Sequence, residues 1–305
     1  MKVIAVDCGG SNVRTAVAES SGTVQRISEV GTPEHLDQLA AVIVGLIGDP
    51  HQAMAIGIGV AGLVDVDSRT LRWMPHRPGT DVALGADVEA RLGLPVVMDN
   101  DANLAALAEA TRGAGVGHRM VLTVAVGTGI GGGLVIDGRI ERGRGHLGEI
   151  GHMTVDPTGP QCSCGRRGCW EALASGTALD RSARFLATAE PNGPLGLESE
   201  QGEVDGASLV AAAKDGDISA LAAVESAATA FGRGLGSLVA ILDPDIVVVG
   251  GGVGAIGEAF LEPARRAMMS ATPGREHRRE TPVVAARFGA DAGLVGAAMA
   301  AGGGA

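Results

Sequence analysis

Residues 146–171 read H-L-G-E-I-G-H-M-T-V-D-P-T-G-P-Q-C-S-C-G-R-R-G-C-W-E and hold three of the four cysteines in the chain. His152 stands upstream of Cys162, Cys164 and Cys169, and two carboxylates, Glu149 and Glu171, flank the cluster. Zinc takes four tetrahedral ligands of thiolate or imidazole type, and a site whose four positions are all filled by protein is structural rather than catalytic. These four side chains supply that number. Gly165 and Gly168 let the chain fold back tightly enough for the sulfurs to meet on one ion, because glycine reaches backbone angles that other residues resist. The competing reading is a disulfide with a spare thiol. Cys162 and Cys164 are badly placed to pair with each other, however, and no other feature marks a secreted chain. An iron–sulfur cluster ranks third, because one ligand is a histidine.

The pattern E-x-G-H followed by C-x-C-G-x-x-G-C-x-E resembles the signature of the ROK family (repressors, open reading frames and sugar kinases), and within it the bacterial glucokinases. The resemblance implies that His152, Cys162, Cys164 and Cys169 hold a structural Zn2+, while Glu149, His152 and Glu171 contact the hydroxyls of a hexose. A double role for His152 is chemically sound, since a metal-bound imidazole keeps a second ring nitrogen for a hydrogen bond.

Composition narrows the function classes independently. The chain has 305 residues, of which 46% are hydrophobic and only 2% aromatic, with no Tyr, so Ala, Val, Leu and Ile must fill the core. Few aromatic platforms remain for stacking bases, which argues against single-strand nucleic-acid binding. A formal charge of -11 argues equally against a duplex phosphate backbone. The apolar run that opens the chain is too short for a secretory signal before Asp7 intervenes. Residues 120–136 are uncharged, but glycine breaks make them strand, turn and strand rather than a membrane span. Clustered thiols without an export signal suggest a reducing cytoplasm.

Two glycine turns between strands repeat along the chain. The first follows strand 2–6 as Asp7-Cys8-Gly9-Gly10-Ser11-Asn12-Val13-Arg14, and strands at 15–18 and 23–30 come after it. Such a turn serves a plain hairpin as well as a phosphate cradle, whose backbone N–H groups face the anion while an acid holds the water shell of magnesium. It resembles the first phosphate loop of the actin-like sugar kinases, D-x-G-G-T-x-x-R, with Ser11 keeping the hydroxyl of the usual Thr. The second turn, Gly127-Thr128-Gly129, lies between strands at 120–126 and 134–136. A strand at 246–249 then feeds Gly250 and Gly251, and a helix begins at Glu258. In the family that segment lies beside the adenosine. As a dinucleotide fingerprint it is poor, having no acidic partner downstream.

Between the two turns, a buried strand at 95–98 delivers Asp99-Asn100-Asp101-Ala102-Asn103 to the start of a helix at 104–112. Asp and Asn cap helices, so part of this block has an innocent explanation. It also matches the family's N-D-A-N core, which implies Asp101 as catalytic base and Asn100 as a sugar ligand. Two departures stand out: Ala61 replaces the family's usual Pro, and His76-Arg77 follows Pro75 where glucokinases commonly have Asn.

Helices are expected at 33–47, 82–92, 177–189, 208–214, 218–242 and 291–301, a mobile loop at 190–206, and strands at 54–60, 71–74 and 281–287. Residue 71–74 should continue the sheet, and 301–305 should fray. The resemblance implies a two-domain α/β fold of the actin-like ATPase (ribonuclease H-like) sugar kinase class with a structural zinc loop. The glycine-rich crossing at 113–117 suggests a small domain of 1–115 plus 290–305 and a large domain of 116–289. The expected activity is transfer of phosphate from ATP, with Mg2+, to glucose. The nucleotide would be held by Asp7, Gly9, Gly10, Ser11, Gly127, Thr128, Gly129, Gly250 and Gly251. The alternatives are an N-acetylmannosamine, N-acetylglucosamine or fructose kinase, or a non-catalytic sugar sensor. A repressor of the family would carry a DNA-binding helix-turn-helix ahead of the first strand, and that strand begins at Lys2. No nucleic-acid or membrane partner is expected, and by resemblance the chain forms a homo-oligomer, a dimer or tetramer.

Overall fold

The computed structural model describes residues 1–50, 52–75 and 77–303, with Arg26 described in its backbone only. His76, half of the departure noted above, lies outside the described residues, as do positions 304–305 of the tail.

Three strands open the chain, β1 (Lys2–Cys8), β2 (Asn12–Glu19) and β3 (Val24–Gly31), followed by α1 (Leu39–Ile47) and β4 (Ile56–Val60). Next come β5 (Leu63–Asp65), β6 (Thr70–Trp73), α2 (Leu84–Leu92), β7 (Val96–Asn100) and α3 (Asp101–Arg112). The strands β8 (Met120–Val126), β9 (Ile130–Ile136) and β10 (Arg139–Glu141) precede α4 (Trp170–Ala174), α5 (Gly176–Ala189), α6 (Pro194–Ser199), α7 (Gly206–Lys214) and α8 (Ile218–Leu242). The chain ends with β11 (Ile246–Gly250), α9 (Gly251–Gly254), α10 (Glu258–Ala271), β12 (Val283–Ala285) and α11 (Ala292–Ala301).

Two five-stranded sheets have the orders β3-β2-β1-β4-β7 and β10-β9-β8-β11-β12. Counted within each sheet, both read third, second, first, fourth, fifth strand, so the repetition seen in the glycine turns extends to a whole topology. In the first sheet β1, β2 and β3 form an antiparallel meander, while β1, β4 and β7 are parallel. Strands β4 and β11 are buried along their whole length. That is why they read as unbroken apolar runs instead of alternating, as parallel strands covered on both faces do.

The chain divides into two compact units, one of residues 1–123, 132–148 and 287–305, the other of 124–131 and 149–286. The 113–117 crossing lies inside the first unit. In that unit α11 packs on α3, β1 and β4. Close approach demands glycine there: a Cβ on Gly57 of β4 would lie 1.9 Å from the Ala297 carbonyl oxygen, and one on Gly296 would lie 1.9 Å from that of Leu104. Both obstacles are backbone, so neither can move aside alone. Gly296→Ala is therefore expected to force α11 off α3 and destabilise the protein by about 1–3 kcal/mol, read as a melting temperature several degrees lower. An unchanged melting temperature would show that the two helices slide freely.

Three expectations are corrected. Residues 70–73 do not extend the main sheet but pair with β5 in a separate two-stranded hairpin. The 190–206 segment contains the helical turn α6, started by Gly193 as N-cap and Pro194 at the first helical position, where its missing N–H costs nothing. The last strand is confined to Val283–Ala285, since only those residues pair with β11.

In the second unit the scarce aromatics are concentrated. Trp170 stacks on Phe231 at 4.9 Å between ring centroids, and Phe231 meets Phe260 at 5.3 Å. The Trp170 Nε1–H donates to the Phe231 carbonyl at 3.2 Å. This stack joins α4 to α8 and α10, and it fixes the chain immediately after Cys169 and immediately before Glu171.

Candidate active site and metal centre

In the first unit the parallel register aligns Asp7 with Gly59 and Gly59 with Asp99, so the carboxyl ends of β1, β4 and β7 share one edge. Ligands of open α/β sheets bind outside such edges. Burial, and after it the charge of Asp101, raises the Asp7 carboxyl to about 7, with Arg14 pulling the other way. Two carboxylates held close enough to repel suit a cation. Arg14 ion-pairs with Asp291 and donates to the Ala290 carbonyl at 2.7 Å, while lying 3.9 Å from Asp7.

The first glycine turn uses up its own carbonyls. Gly9 O accepts from the Thr32 hydroxyl (2.8 Å), Gly10 O from Arg77 (2.7 Å) and Ser11 O from the Thr32 N–H (2.8 Å). The second turn, which belongs to the other unit, does the same. Gly127 O accepts from Gly176 N–H (2.8 Å), Thr128 O from the Thr177 hydroxyl (2.8 Å), and Gly129 O from Gly127 N–H (3.0 Å). With these carbonyls engaged by protein, and with Gly9 N–H donating to Asn12 O (2.9 Å) and Gly127 N–H to Gly129 O inside the turns, the remaining N–H groups are the ones such concave backbone can turn toward an anion. In the same unit Gly251 has φ +80, and a Cβ there would lie 2.4 Å from the Val126 carbonyl oxygen. Only glycine fits where β11 ends.

Asn100 caps α3: its side-chain oxygen accepts from Ala102 N–H (2.9 Å) and Asn103 N–H (3.2 Å), and its Nδ2 donates to Gly62 O (3.1 Å). With both acceptor positions filled, its amide can offer a sugar one further N–H at most. Asp101 sits in the first turn of the same helix, one oxygen accepting from Ala102 N–H at 2.8 Å. Three participants escaped the sequence. Asp99 is 2% exposed and receives Arg142 through Nε (2.8 Å) and Nη2 (2.7 Å). Glu109, wholly buried, accepts from the backbone N–H groups of Ala114 (3.0 Å), Arg287 (3.1 Å) and Phe288 (2.8 Å). This ties the end of α3 to the returning chain. The Arg14–Asp291 pair is the third. Only the acidic character of Asp99 next to Asn100 gave any local signal.

The second unit brings together the four candidate metal ligands. One ligand atom each from His152, Cys162, Cys164 and Cys169 lies within 4.8 Å of all the others. Cys164 and Cys169 sulfurs are 3.6 Å apart, and Cys162 Sγ is 3.7 Å from His152 Nδ1. Sulfurs ~2.3 Å from a tetrahedral ion lie about 3.8 Å from one another, so the four side chains fit a zinc-sized ion. The three cysteines are free thiols. The Arg166 backbone N–H lowers the Cys164 thiol to about 6, whereas burial raises Cys169 to about 12. Holding all three sulfurs as thiolates would call for a cation among them. Because Nδ1 of His152 faces the sulfurs, Nε2 at the far side of the ring is the nitrogen left for a substrate.

Glu171 stands between this cluster and the second glycine turn. Its Oε2 accepts from Ile130 N–H at 3.1 Å, its Oε1 lies 3.8 Å from Cys162 Sγ, and a Cβ on Gly129 would come within 2.1 Å of Oε2. A candidate metal ligand, an aromatic anchor and a carboxylate occupy consecutive positions, Cys169, Trp170 and Glu171. Glu149 is exposed at the start of the helical turn Ile150–His152.

The profile of the ROK family matches residues 3–303. A glucokinase of Streptomyces coelicolor is 38% identical over 306 residues, covering 97% of this chain and 96% of its own. An N-acetylmannosamine kinase of Salmonella paratyphi A is 33% identical, covering 98% of each. Among solved structures, a ROK family glucokinase from Streptomyces griseus in complex with glucose and AMPPNP superposes with a TM-score of 0.91 at 38% identity, covering 99% of this chain and 100% of that one. The fold is the actin-like two-domain α/β fold implied by the motifs. On a match that runs nearly from end to end, the chain belongs to the ROK family.

Proposed function

We propose that the protein is an ATP-dependent hexokinase that phosphorylates glucose at its 6-hydroxyl. The observation that carries this reading is the placing of Asp7 at the end of β1 and of Asp101 at the start of α3, just past the same sheet edge, beside a glycine turn with no spare carbonyl. It offers a base, a cation-holding acid and a phosphate cradle together. Glucokinase relatives, one of them solved with glucose and a nucleotide analogue, support the same activity.

Phosphoryl transfer asks a protein mainly for positioning and charge neutralisation. Asp101 accepts the proton of the sugar 6-hydroxyl as its oxygen bonds to the γ-phosphorus and the bond from that phosphorus to the bridging oxygen of ADP breaks. Glu149, Glu171 and Nε2 of His152 take the remaining sugar hydroxyls, with Asn100 donating one N–H. The turns at Gly9, Gly10 and Ser11 and at Gly127, Thr128 and Gly129 cradle the phosphates, through N–H groups other than those of Gly9 and Gly127, which are used inside the turns, and Gly250 and Gly251 leave room for the nucleoside. Magnesium, when bound with the nucleotide, supplies neutralising charge, and Asp7 is the residue that would hold its water shell. Zinc on His152, Cys162, Cys164 and Cys169 would act structurally, since all four positions are filled by protein. Among the described residues no helix is long and apolar enough to cross a membrane. The free clustered thiols suit the cytoplasm, and assembly as a homo-oligomer is proposed on the family resemblance.

The test is ADP release with ATP and Mg2+ across glucose, mannose, fructose, N-acetylglucosamine and N-acetylmannosamine. Glucose is expected to be turned over most efficiently. Preference for N-acetylmannosamine would move the protein to the other kinase activity represented among its relatives. No ADP from any sugar, with one of them still raising the melting temperature, would make it a sugar sensor.

A further inference from the structure

We infer that the Asp99–Arg142 ion pair is a positioning clamp, which sets the catalytic carboxylate of Asp101 and the strap that leads into the sugar contact Glu149. The inference rests on the kinase reading above and adds two residues to it.

The geometry exceeds what folding requires at this point. Asp99 Oδ1 already accepts from Asn100 N–H (2.7 Å) and Asn103 Nδ2 (2.9 Å), which accounts for its place at the end of β7. Its second oxygen is given over to Arg142, gripped by Nε and Nη2 together. A carboxylate this deeply buried must be paired, and an arginine fork fixes direction where an ammonium would only supply charge. The pair is therefore rigid. One end is two residues from Asp101 and holds the peptide N–H of Asn100, so the backbone that aims the base is clamped directly.

The other end governs residues 142–148. Arg142 turns this strap, its carbonyl accepting from Gly145 N–H at 2.8 Å. At the far end Gly148 O accepts from Gly132 N–H at 3.0 Å, and Gly148 has φ +108 with a Cβ position 2.2 Å from the Gly132 carbonyl oxygen. The strap is thus pinned at both ends to the first unit, and the next residue is Glu149. Backbone pairing of Glu141 with Leu134 holds the start of the strap in any case, and the Arg142 side chain adds the one tie from that end to Asp99, two residues from Asp101.

Arg142→Lys and Arg142→Gln test this in the full-length protein, because the Arg142 side chain is 31% exposed and its loss opens no sealed cavity. Asp99→Asn is the reciprocal variant. A clamp predicts kcat lower by roughly 10- to 100-fold, as small misplacement of a reacting group does, a sugar KM raised several-fold, and an ATP KM unchanged. Arg142→Lys should recover only part of the loss. The double variant Asp99→Asn/Arg142→Gln should be about as impaired as the worse single one, since paired residues are not additive. A melting temperature that falls while kcat and sugar KM stay at wild-type values would make the pair purely structural and overturn the clamp. Sugar affinity measured by calorimetry separates the two claims. If wild-type protein released no ADP with any hexose, the kinase reading would fall. The strap half of the clamp would then stand if Arg142→Gln weakened sugar binding several-fold and fall if affinity were unchanged.

Discussion

Asp101→Asn is expected to lower kcat by about two to four powers of ten, the range for loss of a general base, while sugar still raises the melting temperature as it does in the wild type. The asymmetry follows from what the side chain does in the fold. Asp101 contributes an oxygen to Ala102 N–H in the first turn of α3, and an asparagine oxygen accepts the same bond. The cap of that helix belongs to Asn100, whose oxygen holds the N–H groups of Ala102 and Asn103. Stability therefore passes through Asn100 and turnover through Asp101, although the two are neighbours. Asn100→Ala should show the converse, a helix cap lost at a cost of about 0.5–2 kcal/mol with a smaller effect on kcat. Steady-state ADP release at saturating glucose, paired with thermal unfolding with and without the sugar, reads both. Near-normal turnover by Asp101→Asn would remove it from the role of base.

The division between these neighbours shows what the sequence could and could not convey. The gathering of His152, Cys162, Cys164 and Cys169 was legible because the four fall within one short segment, where glycines and cysteines advertise the turn before any packing is known. The helix α8 was legible from end to end, since its apolar spacing is local and Asp217 and Asp243 mark its two ends. What stayed hidden depends on distance along the chain. Arg142 lies 43 positions from Asp99, Arg287 178 from Glu109, and Asp291 277 from Arg14. A charged residue in a loop looks the same in sequence whether it faces water or a buried carboxylate. The β5–β6 hairpin failed for a related reason: a short apolar run specifies a strand but not its partner. Asn100 could be read either as a cap or as a ligand, and the structure gives it the cap while leaving one N–H.

On the proposed zinc site, loss of the ion from the cysteine cluster is expected to impair both substrates and not the sugar alone. Cys164→Ser is the variant to use, because Cys164 is exposed whereas Cys169 is buried beside Trp170, so the core of the second unit survives the change. A metal loop without its ion loses its fold, and Glu149, His152 and Glu171 lie within or next to that loop, so the sugar KM should rise by on the order of 10-fold or more. The nucleotide effect comes through one carboxylate. Glu171 Oε2 holds the N–H of Ile130, directly after Gly129, and crowds the Gly129 backbone so closely that a side chain there would displace it. The second glycine turn also leans on Gly176 and Thr177, at the start of the helix that follows Glu171 closely. Loosening the loop should therefore let the turn drift, raising the ATP KM by a smaller factor while the first turn, held by Thr32 and Arg77, stays in place. Metal content, melting temperature and both KM values measured on the same preparation decide the matter. Loss of metal with an unchanged ATP KM would confine the ion's influence to the sugar. Full metal content with unchanged KM values would show that Cys164 is not needed as a ligand.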